Sequence, residues 1–169
     1  MTNKGKKIFL ALTIAVPFII YCVIYYTPMI KNAPFKSSEF VSLQYRWGVG
    51  AKLDNFYDSA TGNYQYLDER DSLIKTNVKL RSNDIIYLHS KANELGLWNF
   101  PEVIANQDED VRSGRILRYE IQFNYKRKSK KVIFMSDYNE IPKLRDVAFQ
   151  MQKLVAQSIN DAEERYSGK

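Results

Sequence analysis

From Ile8 to Ile30, 23 consecutive positions carry no charge, whereas beyond Lys31 polar and apolar side chains alternate with short periods. The uncharged run predicts a helix. At 1.5 Å per residue it reaches about 34 Å, enough to cross a hydrocarbon core of about 30 Å. Pro17 lies within the run, which membrane helices tolerate. Tyr21, Tyr25 and Tyr26 gather toward its far end, where amphipathic rings suit an interface, and Pro28 and Pro34 help to end the helix.

Period two governs much of the remainder. Val41, Leu43, Tyr45 and Trp47 alternate with Ser42, Gln44 and Arg46, which predicts a strand buried on one face and ended by Gly48 and Gly50. Phe56 to Tyr66 reads as a hairpin around Ser59, Ala60, Thr61 and Gly62, with Gly62 free to take positive φ. Ile74, Thr76, Val78 and Leu80 mark another one-sided strand. The clearest strand has Leu117, Tyr119, Ile121, Phe123 and Tyr125 on one face and Arg118, Glu120, Gln122 and Asn124 on the other. A turn near Arg127 and Lys128 folds it into a hairpin in which Tyr125 faces Lys130, Phe123 faces Val132 and Ile121 faces Phe134.

Two segments carry helical spacing. Ser82 reads as an N-cap, with Asp84 in the first turn, followed by Ile85, Leu88, Ala92 and Leu95, and by Gly96 at the C′ position. Trp98 and Phe100 then plug the core beneath that helix end. A long helix from Pro142 to about Glu164 buries Leu144, Val147, Ala148, Met151, Leu154, Val155 and Ile159. The stretch from Asn106 to Gly114 is polar and reads as a loop. The expected fold is α+β: an N-terminal transmembrane helix followed by a two-layer sandwich, an antiparallel sheet of about five strands with two helices on one face. The expected organisation is a basic tail at 1–7, a signal anchor at 8–30, a tether at 31–38 and an α+β domain at 39–166.

Charge orients the anchor. Lys4, Lys6 and Lys7 precede the apolar run and every acidic residue follows it, so the tail belongs in the cytoplasm and the domain outside it. Of the formal charge of +6, the part beyond the anchor retains only +3, too little to suggest nucleic acid. A cleaved signal peptide would need a shorter apolar core and small residues before the cut. Lipidation at Cys22 would need a small residue where Tyr21 stands. A single-pass cell-membrane protein is therefore expected, its bilayer contact made by residues 8–30.

Candidate chemistry is sparse. His89, the only histidine, sits at the edge of a core stripe and reads as a helix-flank residue with one hydrogen-bond partner. Cys22 is the only cysteine, so a zinc site built on several Cys and His ligands is excluded within one chain. Asp108, Glu109 and Asp110 lack the alternating spacing and glycine turn of a calcium loop. Asp68, Glu69 and Asp71 read as turn residues. No glycine-rich phosphate loop is present, and no cofactor is expected. The one concentrated feature is Lys126, Arg127, Lys128, Lys130 and Lys131, a basic hairpin suited to anionic lipid or to an acidic envelope partner. Its plain alternative is a solvated hairpin whose lysines discourage edge pairing.

An anchor carrying a small α+β domain is a layout shared by many bacterial envelope proteins, and no motif narrows it to a family. The expected role is non-catalytic binding or scaffolding in the cell envelope. The alternative is a small envelope hydrolase using carboxylates or a Ser–Lys pair.

Overall fold

The computed structural model describes residues 3–31, 35–107, 111 and 115–167. Residues 32–34 of the expected tether and the acidic run Asp108 to Asp110 lie outside these. The chain divides into two compact units, 1–35 and 36–169.

The first unit is helix α1, Asn3–Lys31. Within it, Lys4–Tyr25 is long and apolar enough to cross a membrane, and none of that stretch is buried by other protein. The helix continues through Pro17. Tyr21 stacks on Tyr25 with ring centroids 5.7 Å apart, as the i,i+4 spacing allows.

Among the described residues, the second unit is a mixed sheet of seven strands with helices. The strands are β1 (Phe40–Val49), β2 (Asn55–Asp58), β3 (Asn63–Leu67), β4 (Leu73–Asn77), β5 (Val103–Ile104), β6 (Leu117–Tyr125) and β7 (Ser129–Met135), in the spatial order β4-β3-β2-β1-β6-β7-β5. The helices are α2 (Ser82–Glu94) and α3 (Pro142–Ser167). Every neighbouring pair is antiparallel except β5 with β7. The sheet thus exceeds the expected five antiparallel strands. The added parallel edge, Val103 and Ile104, is two residues long, too short to show a period of two.

The β2–β3 turn forms as the sequence predicts. Gly62 takes φ +76°, donates to the Asp58 carbonyl at 2.8 Å and accepts from Val78 N–H at 2.7 Å. A Cβ there would lie 2.8 Å from Asn77 Oδ1, so position and conformation both call for glycine. The β6–β7 hairpin differs from expectation by two residues: Phe123 faces Lys130, Ile121 faces Val132 and Tyr119 faces Phe134. The turn is tighter, with Tyr125 N–H donating to Lys128 O at 2.9 Å across Lys126 and Arg127. A slip of two leaves every side chain on its own face, so the alternation of residues is silent about it.

Helix α2 also begins one residue earlier than expected. Arg81 is the N-cap and Ser82 the first helical residue, because Asp84 reaches back to accept Arg81 N–H at 2.8 Å. The same carboxylate meets Arg165 of α3 at 2.6 Å, tying the two helices together. Gly96, at φ +73°, ends the segment as its position predicts.

The core lies between the sheet and the two helices. Leu43, Tyr45, Tyr57, Tyr64, Ile121, Phe123, Tyr125, Val132 and Phe134 are buried against Leu88, Ala92, Met151, Val155 and Ile159. This face is unusually rich in tyrosine, and its hydroxyls find partners. Tyr45 Oη accepts from Gln152 at 2.7 Å, Tyr57 donates to Val78 O at 3.2 Å, and Tyr66 donates to Glu163 at 3.2 Å. Burial pushes Tyr45, Tyr57, Tyr64 and Tyr125 well above the ordinary phenol value, so they remain neutral. Trp98 meets Phe123 edge-on at 5.6 Å and Phe100 is buried beneath the helix end, the plug expected of them.

The opposite face is not bare, which departs from a strict two-layer sandwich. Arg118 bonds the carbonyls of Ala51 and Val111, so loop segments stand over part of that face. Met135, paired with Arg118 across the β6–β7 ladder, is fully buried there.

Candidate functional site

The five basic residues of the hairpin do not share one surface. Lys126 and Arg127 are exposed at the turn, beside the half-buried Lys128. Arg127 forms an ion pair with Glu39 at 2.9 Å, and that guanidinium holds the carboxyl below the usual range. Lys130 stands opposite Phe123 on the helix-covered face, where its ammonium donates to the Phe100 carbonyl. Lys131, one residue on, belongs to the other face and pairs with Glu120 at 2.9 Å. Burial lowers the Lys128 and Lys130 pKa values from that of a free ammonium. The strand alternation that concentrates these charges in sequence separates them in space.

His89 behaves as its helix position predicts. Its Nδ1 lies 2.7 Å from the Tyr125 hydroxyl, and burial lowers its pKa. Asp68 serves its own turn, accepting from the backbone N–H groups of Arg70 and Ser72 at 2.8 Å each. Among the described residues no group of three or more His, Cys, Asp and Glu side chains converges to hold a metal ion.

The polar convergence lies on the face of the sheet away from α2 and α3. There a hollow of about 640 Å³ is lined by Arg46, Lys52, Arg118, Glu120 and Lys131, with Leu53 and Ile133 as apolar wall. Adjacent β1, β6 and β7 supply all of these but Lys52 and Leu53, which come from the loop between β1 and β2: Arg46 stands directly opposite Glu120, and Glu120 opposite Ile133. A smaller depression continues from it past Gln44 and Gln122. The Arg46 guanidinium also lies over the Phe56 ring, 4.9 Å from its centroid, which holds the head in place on an exposed residue.

At the centre, Glu120 is bracketed by two cations, Arg118 Nε at 3.3 Å and Lys131 Nζ at 2.9 Å. The Arg118 side chain is only 7% exposed, against 15% for Glu120 and 45% for Lys131. Arg118 Nη1 donates to Val111 O at 2.5 Å and Nη2 reaches Ala51 O at 3.5 Å, while Nε makes no hydrogen bond. A buried guanidinium has five donors to satisfy; this one leaves part of that capacity unused beside an open hollow.

Sequence reasoning placed Arg46, Arg118 and Glu120 on the outward positions of their strands but did not assemble them. The available signal was a cluster of charged outward positions in the two longest strands. Only the register between β1 and β6, more than 70 positions apart in the chain, brings Arg46 to Glu120.

A scan against protein-family models, a search of curated proteins and a search of solved structures each found no match to this chain.

Proposed function

We propose that this chain is a single-pass membrane protein whose C-terminal domain lies outside the cytoplasm and acts in the cell envelope as a non-catalytic binding or scaffolding module. The observation that carries this reading is the uncovered helix. Lys4–Tyr25 is unburied and carries no charge from Ile8 on, while residues 36–169 form a separate compact unit with its own core. So much exposed apolar surface is costly in water, and a bilayer removes that cost. The three lysines ahead of the run favour a cytoplasmic N-terminus. Binding is favoured over hydrolysis by the make-up of the hollow. Acid–base work by carboxylates uses two of them, and Glu120 is the one carboxylate among the described lining residues, already bridging Arg118 and Lys131.

The test is a topology experiment. A reporter active only outside the cytoplasm, fused after Lys169, is expected to be active, and the protein is expected to resist alkaline extraction from membranes with Met1 to Ile30 retained. Activity from a cytoplasmic reporter alone reverses the orientation. A mature N-terminus at Cys22 replaces the anchor with a lipid.

A further inference from the structure

Resting on the reading of this domain as a binding module, we propose that the hollow over β1, β6 and β7 binds a polar ligand through a carboxylate or phosphate group, with Arg118 as the principal recognition residue and Arg46 and Lys131 completing the cradle. Three independent observations converge on it.

The first is charge. The described lining residues include four cations, Arg46, Lys52, Arg118 and Lys131, against one carboxylate, Glu120. Beyond the anchor the chain carries only +3, so the described lining of the hollow is rich in positive charge for its size.

The second is the state of Arg118. A guanidinium is the side chain best shaped for two-point contact with carboxylate or phosphate oxygens. Here it is more than nine-tenths buried: its Nε faces Glu120 at 3.3 Å, while Nη1 and Nη2 each give one N–H to the carbonyls of Val111 and Ala51 and each keep a second N–H. Burying a charge with unsatisfied donors is unfavourable unless something else meets them. An anion entering the hollow would do so.

The third is preorganisation. Glu120 stands between Arg118 and Lys131 and holds both heads toward the same space, and the Phe56 ring holds Arg46 beside them. The amides of Gln44 and Gln122 continue the polar surface, offering donors and acceptors to the uncharged part of a ligand. The apolar surface of Leu53 and Ile133 limits the wetting of one wall.

The experiment uses the full chain in neutral-detergent micelles and isothermal titration calorimetry, with pyrophosphate and citrate as separate probes for the phosphate and carboxylate arms. At least one probe is expected to bind saturably at one site per chain, and the arm that binds names the ligand's anionic group. The double variant R46S/K131S, which alters two exposed side chains, is expected to weaken binding tenfold or more. The double variant K126S/R127S removes the same number of positive charges at the hairpin turn and is expected to leave binding unchanged. Arg118→Lys keeps the charge but loses the fork, and it should weaken binding at least tenfold; the R46S/K131S pair decides the matter if that variant does not fold. Failure of both probes to bind overturns the proposal, as does equal weakening by the two double variants, which would reveal general charge attraction. Either outcome leaves membrane topology untouched, since the reporter fusion measures that separately.

Discussion

The two faces of the sheet are made by the same strands, yet they handle polar atoms in opposite ways. Beneath α2 and α3, polarity resides in tyrosine hydroxyls at the ends of apolar rings. Those rings fill the core while the hydroxyls reach helix side chains such as Gln152 and Glu163, or the Val78 carbonyl. Across the sheet, polarity resides in full charges, most of them wet, as Arg46, Lys52 and Lys131 are. Two described cations depart from that division: Lys130, half-buried on the covered face, and Arg118, buried on the other. A neutral phenol can be buried for the modest cost of one hydrogen bond, whereas a buried ion needs several partners. The covered face is therefore built for stability, and the partly open face keeps charges that stability does not call for, which is the basis of the binding proposed above.

The largest effect should come from charging the covered face. Phe123→Asp places an unpaired carboxylate at a position 1% exposed, and is expected to exceed the about 3–5 kcal/mol typical of Phe→Ala. Circular dichroism should report an unfolded domain. Gln122→Asp, one residue along and on the other face, should cost under about 1 kcal/mol. Equal damage from both would mean that β6 is sealed on both sides and that the distinction between the faces is false.

Tyr45→Phe is the gentler test of the same face. It removes the hydroxyl that meets Gln152 and should cost about 1 kcal/mol in urea unfolding. Arg118→Met probes the opposite face. Glu120 keeps Lys131, so the change is expected to leave stability within about 1 kcal/mol of the parent. A loss of several kcal/mol would make Arg118 a strut for the loops at Ala51 and Val111 and would remove the contrast between the faces.

Acid should weaken the covered face through His89. Burial lowers its folded pKa below the unfolded value of about 6.5, so the fold binds fewer protons than the unfolded chain. Its contribution to stability is fully present above about 6.5 and is lost as pH falls from there through the lower folded value. His89→Gln should flatten this part of the pH profile, and urea midpoints at pH 7.5 and 5 measure it.

The smallest effect concerns the hairpin, whose charges divide between the faces. With Arg127 answered by Glu39, Lys130 turned inward and Lys131 held by Glu120, the turn is expected to attract anionic vesicles far less than the roughly 5 kcal/mol of five cooperating charges close to the surface. Residues 36–169, mixed with anionic vesicles, should bind weakly at low salt and not at physiological salt. Binding as strong as five cooperating charges would provide would show that the ion pairs open at a membrane.

Local periodicity in the sequence was enough to determine the uncharged helix, the α+β class, the inward and outward residues of β6 and of β1 from Leu43 onward, the glycine at position 62, and the stripe of α3. Each is a property of residues within a turn or two of one another, and burial of one face enforces it. At the start of β1 the pairing with β6 shifts between Phe40 and Ser42, and Val41 is exposed while Ser42 is buried. The tertiary structure decided what periodicity cannot express. A two-residue slip in the β6–β7 register preserves both faces. The β5 edge is too short to have a period. The placing of β1 between β2 and β6 joins segments that are distant in the chain. The basic run, one feature in sequence, became three separate environments because neighbouring strand residues point to opposite sides. The Arg46–Glu120 meeting, and the hollow around it, exist only because pairing across strands brings together outward residues that nothing nearby in the chain connects.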